Sequence, residues 1–229
     1  MWTWTLNWDE INASIVVGSC PMSTEDIDRI RLGTHASALF SVQHDACLEH
    51  FGIDYAAHAR HGRETGLEMV RYPIRDFDPG EMRKHLPGAV RVLANLLRSG
   101  HRTYVHCTAG MGRSPLIVMA YLVLVEGWVP DDAMEMLRRQ RRCIAPDWDS
   151  YFACRRELSE RYRQQIERRA WELYESGRYS DPDADWRHAE AEILRSAILE
   201  EGAIKMQASG ISPSAYERDD QVGNLREQH

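Results

Sequence analysis

Apolar positions along the chain follow two alternating registers. Short β-branched runs, Ser14 to Cys20 (SIVVGSC), Ala38 to Gln43 (ALFSVQ) and Glu68 to Ile74 (EMVRYPI), predict strands. Segments with helical periodicity lie between and after them. STEDIDRIRLG places Ser23 and Asp26 at capping-box spacing, with Gly33 as a stop. MRKHLPGAVRVLANLLRSG predicts a helix with Pro87 and Gly88 near its start and Gly100 past its end. TYVHC predicts a strand that runs into a glycine-containing loop and then into PLIVMAYLVLV, Pro115 to Val125. That apolar run is too short to span a bilayer and predicts a buried helix. PDDAMEMLRRQRR and DSYFACRRELSERY predict two more helices. Strand and helix signals in alternation predict an α/β domain over residues 1–163, with helices covering a mostly parallel or mixed sheet.

After Arg163 the pattern changes. Ile166, Ala170, Leu173 and Tyr174 fit one helix face, and Trp186, Ala189, Ile193 and Ala197 another, with the turn SGRYSDPDAD between them. Residues 164–200 therefore predict a helical hairpin, too small for its own core, that docks on the α/β domain or on a partner. Residues 201–229 show no period and are expected to be a disordered tail.

Composition alters this picture only at the edges. With 43% hydrophobic and 28% charged residues, the chain has the make-up of a soluble globular protein. A formal charge of −7 argues against nucleic acid as a partner, and no segment predicts a membrane span. The opening MWTWTLNWDE lacks the basic flank and apolar centre of a signal peptide. Cys20, Cys47, Cys107, Cys143 and Cys154 are odd in number and scattered, which suits neither a zinc site nor a disulfide framework. They are expected to be thiols in a reducing, cytoplasmic compartment.

The chemistry concentrates in VHCTAGMGRSP, Val105 to Pro115. A strand that turns through glycines into a helix aims backbone N–H groups at one point, where the helix N-terminus also favours an anion. Cys107 opens that turn, so its thiol pKa should fall from about 8.5 toward the ~3.5–7.5 range of activated cysteines. Thr108, Ala109, Gly110, Met111 and Gly112 form the cradle, the two glycines letting the backbone approach a phosphate. Arg113 can grip two phosphate oxygens with its planar fork. Ser114 can donate a hydrogen bond to the sulfur and make it a better leaving group. This set specifies phosphoryl transfer through a cysteinyl-phosphate followed by hydrolysis, with no metal or cofactor. The alternative is a buried cysteine in an ordinary strand-to-helix turn. The preceding strand, the glycines and the apolar helix argue against it.

HCTAGMGRSP resembles the signature of the cysteine-dependent dual-specificity phosphatases. More narrowly, Cys-x-Ala-Gly-apolar-Gly-Arg is similar to the subset acting on phosphorylated glucans, the laforin and plant starch-phosphatase group. The likeness runs from about Ile11 to Arg161 and includes IVVGSCPMSTEDIDRI, HFGID, IRDFDP and HLPGAV. It implies a shallow central sheet flanked by helices, with the signature loop at the pocket floor. It also implies a general acid upstream of the cysteine. RDFDPG offers Asp76 and Asp78; Asp76 matches the family's acid and is favoured, while Asp78, before Pro79, also reads as a turn former. In the glucan group, sugar-stacking residues precede Gly-Ile-Asp and follow the acid, which here are His50, Phe51 and Phe77. His50 departs from the tyrosine-type ring usual there, and core packing is the alternative for each phenylalanine. The hairpin motifs RAWELYE and AEAEI resemble a short bacterial helical domain of unknown function.

Several other residues are ambiguous. His106 either orients the loop or is a plain buried histidine. Cys20, Cys47, Cys143 and Cys154 could include a thiol that protects Cys107 from oxidation, though small core residues or surface thiols describe them as well. Arg138 to Arg142 (RRQRR) predict a solvated helix end. Trp2, Trp4 and Trp8 predict a packed N-terminal arm, and Trp128 and Trp148 core positions. Two enzymatic readings result: a phosphoglucan phosphatase, or a dual-specificity phosphatase acting on phosphotyrosine and phosphoserine or phosphothreonine in proteins. A phosphate-binding module without catalysis is disfavoured by the presence of Cys107, Arg113 and an acid candidate.

Overall fold

The computed structural model describes residues 5–177 and 181–209. The expectations for Trp2, Trp4 and residues 210–229 lie outside the described residues. In chain order the elements are β1 (Trp8–Glu10), β2 (Ile15–Gly18), α1 (Thr24–Thr34), β3 (Ala38–Gln43), α2 (Asp45–Phe51), α3 (Tyr55–Glu64) and β4 (Glu68–Ile74). They continue with α4 (Pro79–Arg98), β5 (Thr103–His106), α5 (Arg113–Leu124), α6 (Pro130–Gln140), α7 (Trp148–Arg161), α8 (Arg163–Glu175) and α9 (Pro182–Ser209).

The strands form one sheet in the order β1-β2-β5-β3-β4. β1 pairs antiparallel with β2, and the other pairings are parallel. Parallel pairing follows from the crossover helices, which cover both faces of the sheet. Alternate strand residues serve the two faces. Val17, Phe40, Val42 and Val105 join a large core with α4, α5 and α7, while Val16, Leu39, Met69 and Tyr104 pack toward α1 and α3. β5 thus lies at mid-sheet with both faces covered, and its C-terminal end delivers Cys107.

Local signals explain most boundaries. Ser23 caps α1 by accepting the Asp26 N–H. Gly33 does not stop this helix, which runs to Thr34 and ends with His35 in the left-handed region. Gly33 is small for another reason: a Cβ there would lie 2.7 Å from the Trp8 ring. α4 begins before the predicted start because Pro79 fits its first turn and Asp78 caps it, accepting the Glu81 N–H at 3.0 Å. The hairpin docks on the α/β domain: Leu194 and Ile198 enter the large core, while Ile166, Leu173 and Ala189 pack between α8 and α9. Arg155 and Ser159 of α7 both bond to Glu190 of α9. Tyr174, expected on the packed face, is exposed, and α9 extends through Ser209.

Candidate active site

The chain leaves β5 at Cys107, turns through residues 108–112 and enters α5, which is buried along its whole length. Gly112 occupies the N-cap without a capping side chain, so the first N–H groups of α5 remain directed at the loop.

Each loop carbonyl is held by the surrounding scaffold. The Cys107 carbonyl accepts from His106 Nδ1 at 2.9 Å, and that of Thr108 from the Cys20 N–H at 2.8 Å. The Ala109 carbonyl accepts from Arg141 Nη2 at 3.2 Å and that of Gly110 from Arg141 Nε at 2.9 Å. The Met111 carbonyl accepts from the Ala145 N–H at 2.8 Å. In a planar trans peptide the N–H opposes the C=O. Holding these carbonyls outward therefore turns the N–H groups of residues 108–112 inward, around the sulfur. Gly110 makes the turn with φ at 71°, and a Cβ there would lie 2.3 Å from the Gly18 carbonyl oxygen. Only glycine meets both conditions.

Cys107 is 4% exposed. Burial opposes its ionisation, but the Arg113 charge, the Ser114 hydroxyl at 3.5 Å and the Ser114 and Gly110 N–H groups outweigh it, holding the thiol below its ordinary pKa. Burial pushes His106 down to about 4, so its ring is neutral near neutral pH and Nδ1 carries the proton it donates to the Cys107 carbonyl. This agrees with an orienting role.

Arg113 is buried. Nη1 donates to the Ile74 carbonyl at 2.7 Å, while Nη2 donates to Asp76 Oδ2 at 2.7 Å and Thr108 Oγ1 at 3.1 Å. Its Nε is buried with no hydrogen-bond partner among the described residues. The fork is therefore fixed in direction with a donor in reserve. Asp76 Oδ1 also accepts the N–H of Phe77 at 3.2 Å. Asp78 is already engaged as the cap of α4.

A cleft of about 310 Å³ lies beside the loop, lined among others by Asp76, Phe77, Gly112, Arg113, Leu116 and Asp147. Phe77 is 98% exposed and has φ at 55°, a conformation a non-glycine residue rarely adopts. Core packing is thus excluded for Phe77. His50 and Phe51 do not line this cleft. They stack edge-to-face on each other at the end of α2, with Phe51 half-buried against Cys20, Leu48 and Ile53.

Two further expectations need correction. RRQRR is not wholly solvated: Arg141 is 1% exposed and bonds to the loop. The signal was present, because Ala133, Leu137 and Arg141 recur at helical spacing and the first two are the buried residues of α6. Trp128 is 42% exposed rather than core, because it follows the Gly127 turn between α5 and α6. Trp148 is half-buried beneath the Arg138 guanidinium. Among the other cysteines, Cys20 and Cys154 are buried and pushed up to about 12, chiefly by that burial. Cys143 is exposed, and the Cys47 sulfur lies 3.6 Å from both terminal nitrogens of Arg113.

Residues 37–156 match the family "Dual specificity phosphatase, catalytic domain". The chain is similar to "Phosphoglucan phosphatase DSP4, amyloplastic" of Castanea sativa, at 32% identity over 168 residues, covering 72% of this chain and 44% of that protein. It is also similar to "Laforin" of Mus musculus, at 27% identity over 167 residues, covering 69% of this chain and 51% of that protein. The chain thus spans about half the length of these curated relatives. Among solved structures, that of PTPMT1 aligns with a TM-score of 0.55 at 21% identity, covering 69% of this chain and 99% of that one, which shows the shared fold.

Proposed function

The chain belongs to the dual-specificity phosphatase catalytic-domain family, and from that premise we propose that it hydrolyses phosphate monoesters of a glucan through a cysteinyl-phosphate. The substrate phosphate sits among the inward N–H groups of residues 108–112 and takes Arg113 as its charged partner. In doing so it competes with Asp76 for Arg113 Nη2, and the displaced carboxylate takes up a proton from solvent and turns toward the ester oxygen as the acid. Cys107 Sγ attacks phosphorus, the phosphorus–oxygen bond to the sugar breaks, and the leaving oxygen takes a proton from Asp76. Water then attacks phosphorus, its proton passing to the Asp76 carboxylate. The phosphorus–sulfur bond breaks, and the thiolate leaves under the hydrogen bond from Ser114. A reducing compartment such as the cytoplasm suits five free thiols. No helix among the described residues is long and apolar enough to cross a membrane.

The observation that carries the glucan reading is Phe77, an aromatic ring presented to solvent on the wall of the cleft, one residue from Asp76. A sugar ring can stack on such a face while its phosphate occupies the loop. The name of the relative in Castanea sativa, a phosphoglucan phosphatase, points the same way.

The test is the ratio of activity on soluble phosphorylated glucan to activity on a small aryl phosphate. Phe77→Ala should lower that ratio severalfold to tenfold, the scale of one lost aromatic contact of about 1 kcal/mol. A parallel measurement on Phe51→Ala decides whether the sugar track reaches the end of α2. An unchanged ratio for Phe77→Ala, with phosphopeptides turned over faster than glucan, would instead favour the protein-phosphatase reading.

A further inference from the structure

We infer that Arg141 is a positioning residue for the phosphate loop: it grips the Ala109 and Gly110 carbonyls from behind and thereby aims the Gly110 and Met111 N–H groups at the phosphoryl site. The inference rests on the phosphatase reading above and goes beyond it, because Arg141 lies outside the signature, at the C-terminal cap of α6.

The guanidinium is a four-way junction. Nε and Nη2 hold the two loop carbonyls at 2.9 and 3.2 Å. On the other side Nη1 pairs with Asp9 Oδ2 at 2.7 Å, and Nη2 donates to Asn7 Oδ1 at 2.6 Å. Asn7 is fixed in turn, since the Ser19 N–H donates to its carbonyl at 2.9 Å and its own N–H donates to Ser19 Oγ at 3.1 Å. Asp9 belongs to β1, whose pairing with β2 sets its register. Arg141 therefore ties the loop to the N-terminal edge of the sheet.

Energetics favours a directional role over a stabilising one. Desolvating a guanidinium cancels most of what its ion pair returns. Orientation is what remains. The peptide unit joining Ala109 to Gly110 has its oxygen on Arg141 and its N–H among the donors to Cys107 Sγ. The next unit has its oxygen on Nε and its N–H on Met111, facing the same way. A planar fork can hold two adjacent carbonyls in fixed directions, whereas an ammonium is a point charge.

The readout is the pH dependence of Cys107 alkylation by iodoacetamide, alongside kcat and KM for p-nitrophenyl phosphate. The alkylation profile needs no turnover, so failure of the positioning is distinguishable from failure of the phosphatase reading, which would appear as an inactive wild type. Arg113 with its partner Asp76, Tyr104, Cys20, Cys47 and His106, the other titratable groups around the sulfur, stay intact in every variant. Arg141→Met should shift alkylation to higher pH and lower kcat/KM about tenfold to a hundredfold, the cost of misplacing reacting groups by an ångström or less. Arg141→Lys should remain several-fold below wild type. A folded Arg141→Met with an unchanged alkylation profile would overturn the inference. So would full recovery in Arg141→Lys, which would show that charge alone matters. If Arg141→Met does not fold, the double variant Asn7→Ala/Asp9→Ala releases the outer anchors from exposed or half-exposed positions. It should move alkylation and kcat/KM in the same direction by a smaller factor, and wild-type values in that folded protein would equally overturn the inference.

Discussion

Cys107→Ser should turn over an aryl phosphate on the order of 10⁴–10⁶-fold more slowly than wild type, the scale on which loss of a covalent nucleophile lowers kcat. The reason lies in what the site does to sulfur. Burial alone would push the thiol pKa up, and Arg113, Ser114 and two backbone N–H groups outweigh it and hold the thiol below its ordinary value. A serine hydroxyl starts far less acidic, and the same partners cannot bring it to an anion near neutral pH. The cradle itself does not depend on sulfur. Its N–H groups are aimed by carbonyl contacts to His106, Cys20, Arg141 and Ala145. The variant should therefore still bind inorganic phosphate within a few-fold of wild type. Initial rates with p-nitrophenyl phosphate and phosphate binding by calorimetry check both halves. Turnover close to wild type would rule out Cys107 as nucleophile.

Arg113→Lys should lower kcat/KM on the order of 10³-fold, within the range seen where an arginine stabilises a transferring phosphoryl group. The fork of Arg113 is held by the Ile74 carbonyl, Thr108 and Asp76 together, so the guanidinium is fixed in one orientation. A lysine ammonium keeps the charge and loses the two-point geometry. Ground-state affinity for phosphate should fall less than kcat, because the charge survives while the alignment that strengthens in the transition state does not. Steady-state kinetics with the aryl phosphate, set beside phosphate binding, reads this split. A variant with wild-type kcat would show that charge alone suffices.

What was legible in the sequence was contiguous. β5, the loop and α5 occupy one uninterrupted stretch, so spacing alone predicts a thiol at a strand end, a glycine turn and a helix start. Helices α8 and α9 were legible by period, whereas the sequence left open whether they dock on the α/β domain or on a partner. The α2 and α3 helices were not, because α2 buries only Leu48, and α3 buries His58, Ala59 and Gly62 rather than an apolar stripe. Gly33 misled because a small residue beneath an indole looks like a helix stop when the indole is remote in sequence. Arg141 was hidden for the same reason: its partners lie near residues 7–9 and 109–110, and a basic run resembles a solvated helix end. Asp76 and Phe77 stood out through the family resemblance, but sequence could not tell that one side chain caps Arg113 while the next projects into solvent.

The most direct test of the account is to trap the intermediate. Ser114 donates to Cys107 Sγ, the atom that must leave in the second step, so Ser114→Ala should slow hydrolysis of the phosphoryl-cysteine more than its formation. The measurement is a rapid acid quench of Ser114→Ala during turnover of a phosphorylated substrate, followed by peptide mass spectrometry. One phosphoryl group is expected on the peptide containing Cys107, accumulating to a substantial fraction of the enzyme and absent in Cys107→Ser. An active Ser114→Ala enzyme whose Cys107 peptide remains unmodified, with a rate-limiting step that responds only to leaving-group basicity, would contradict it.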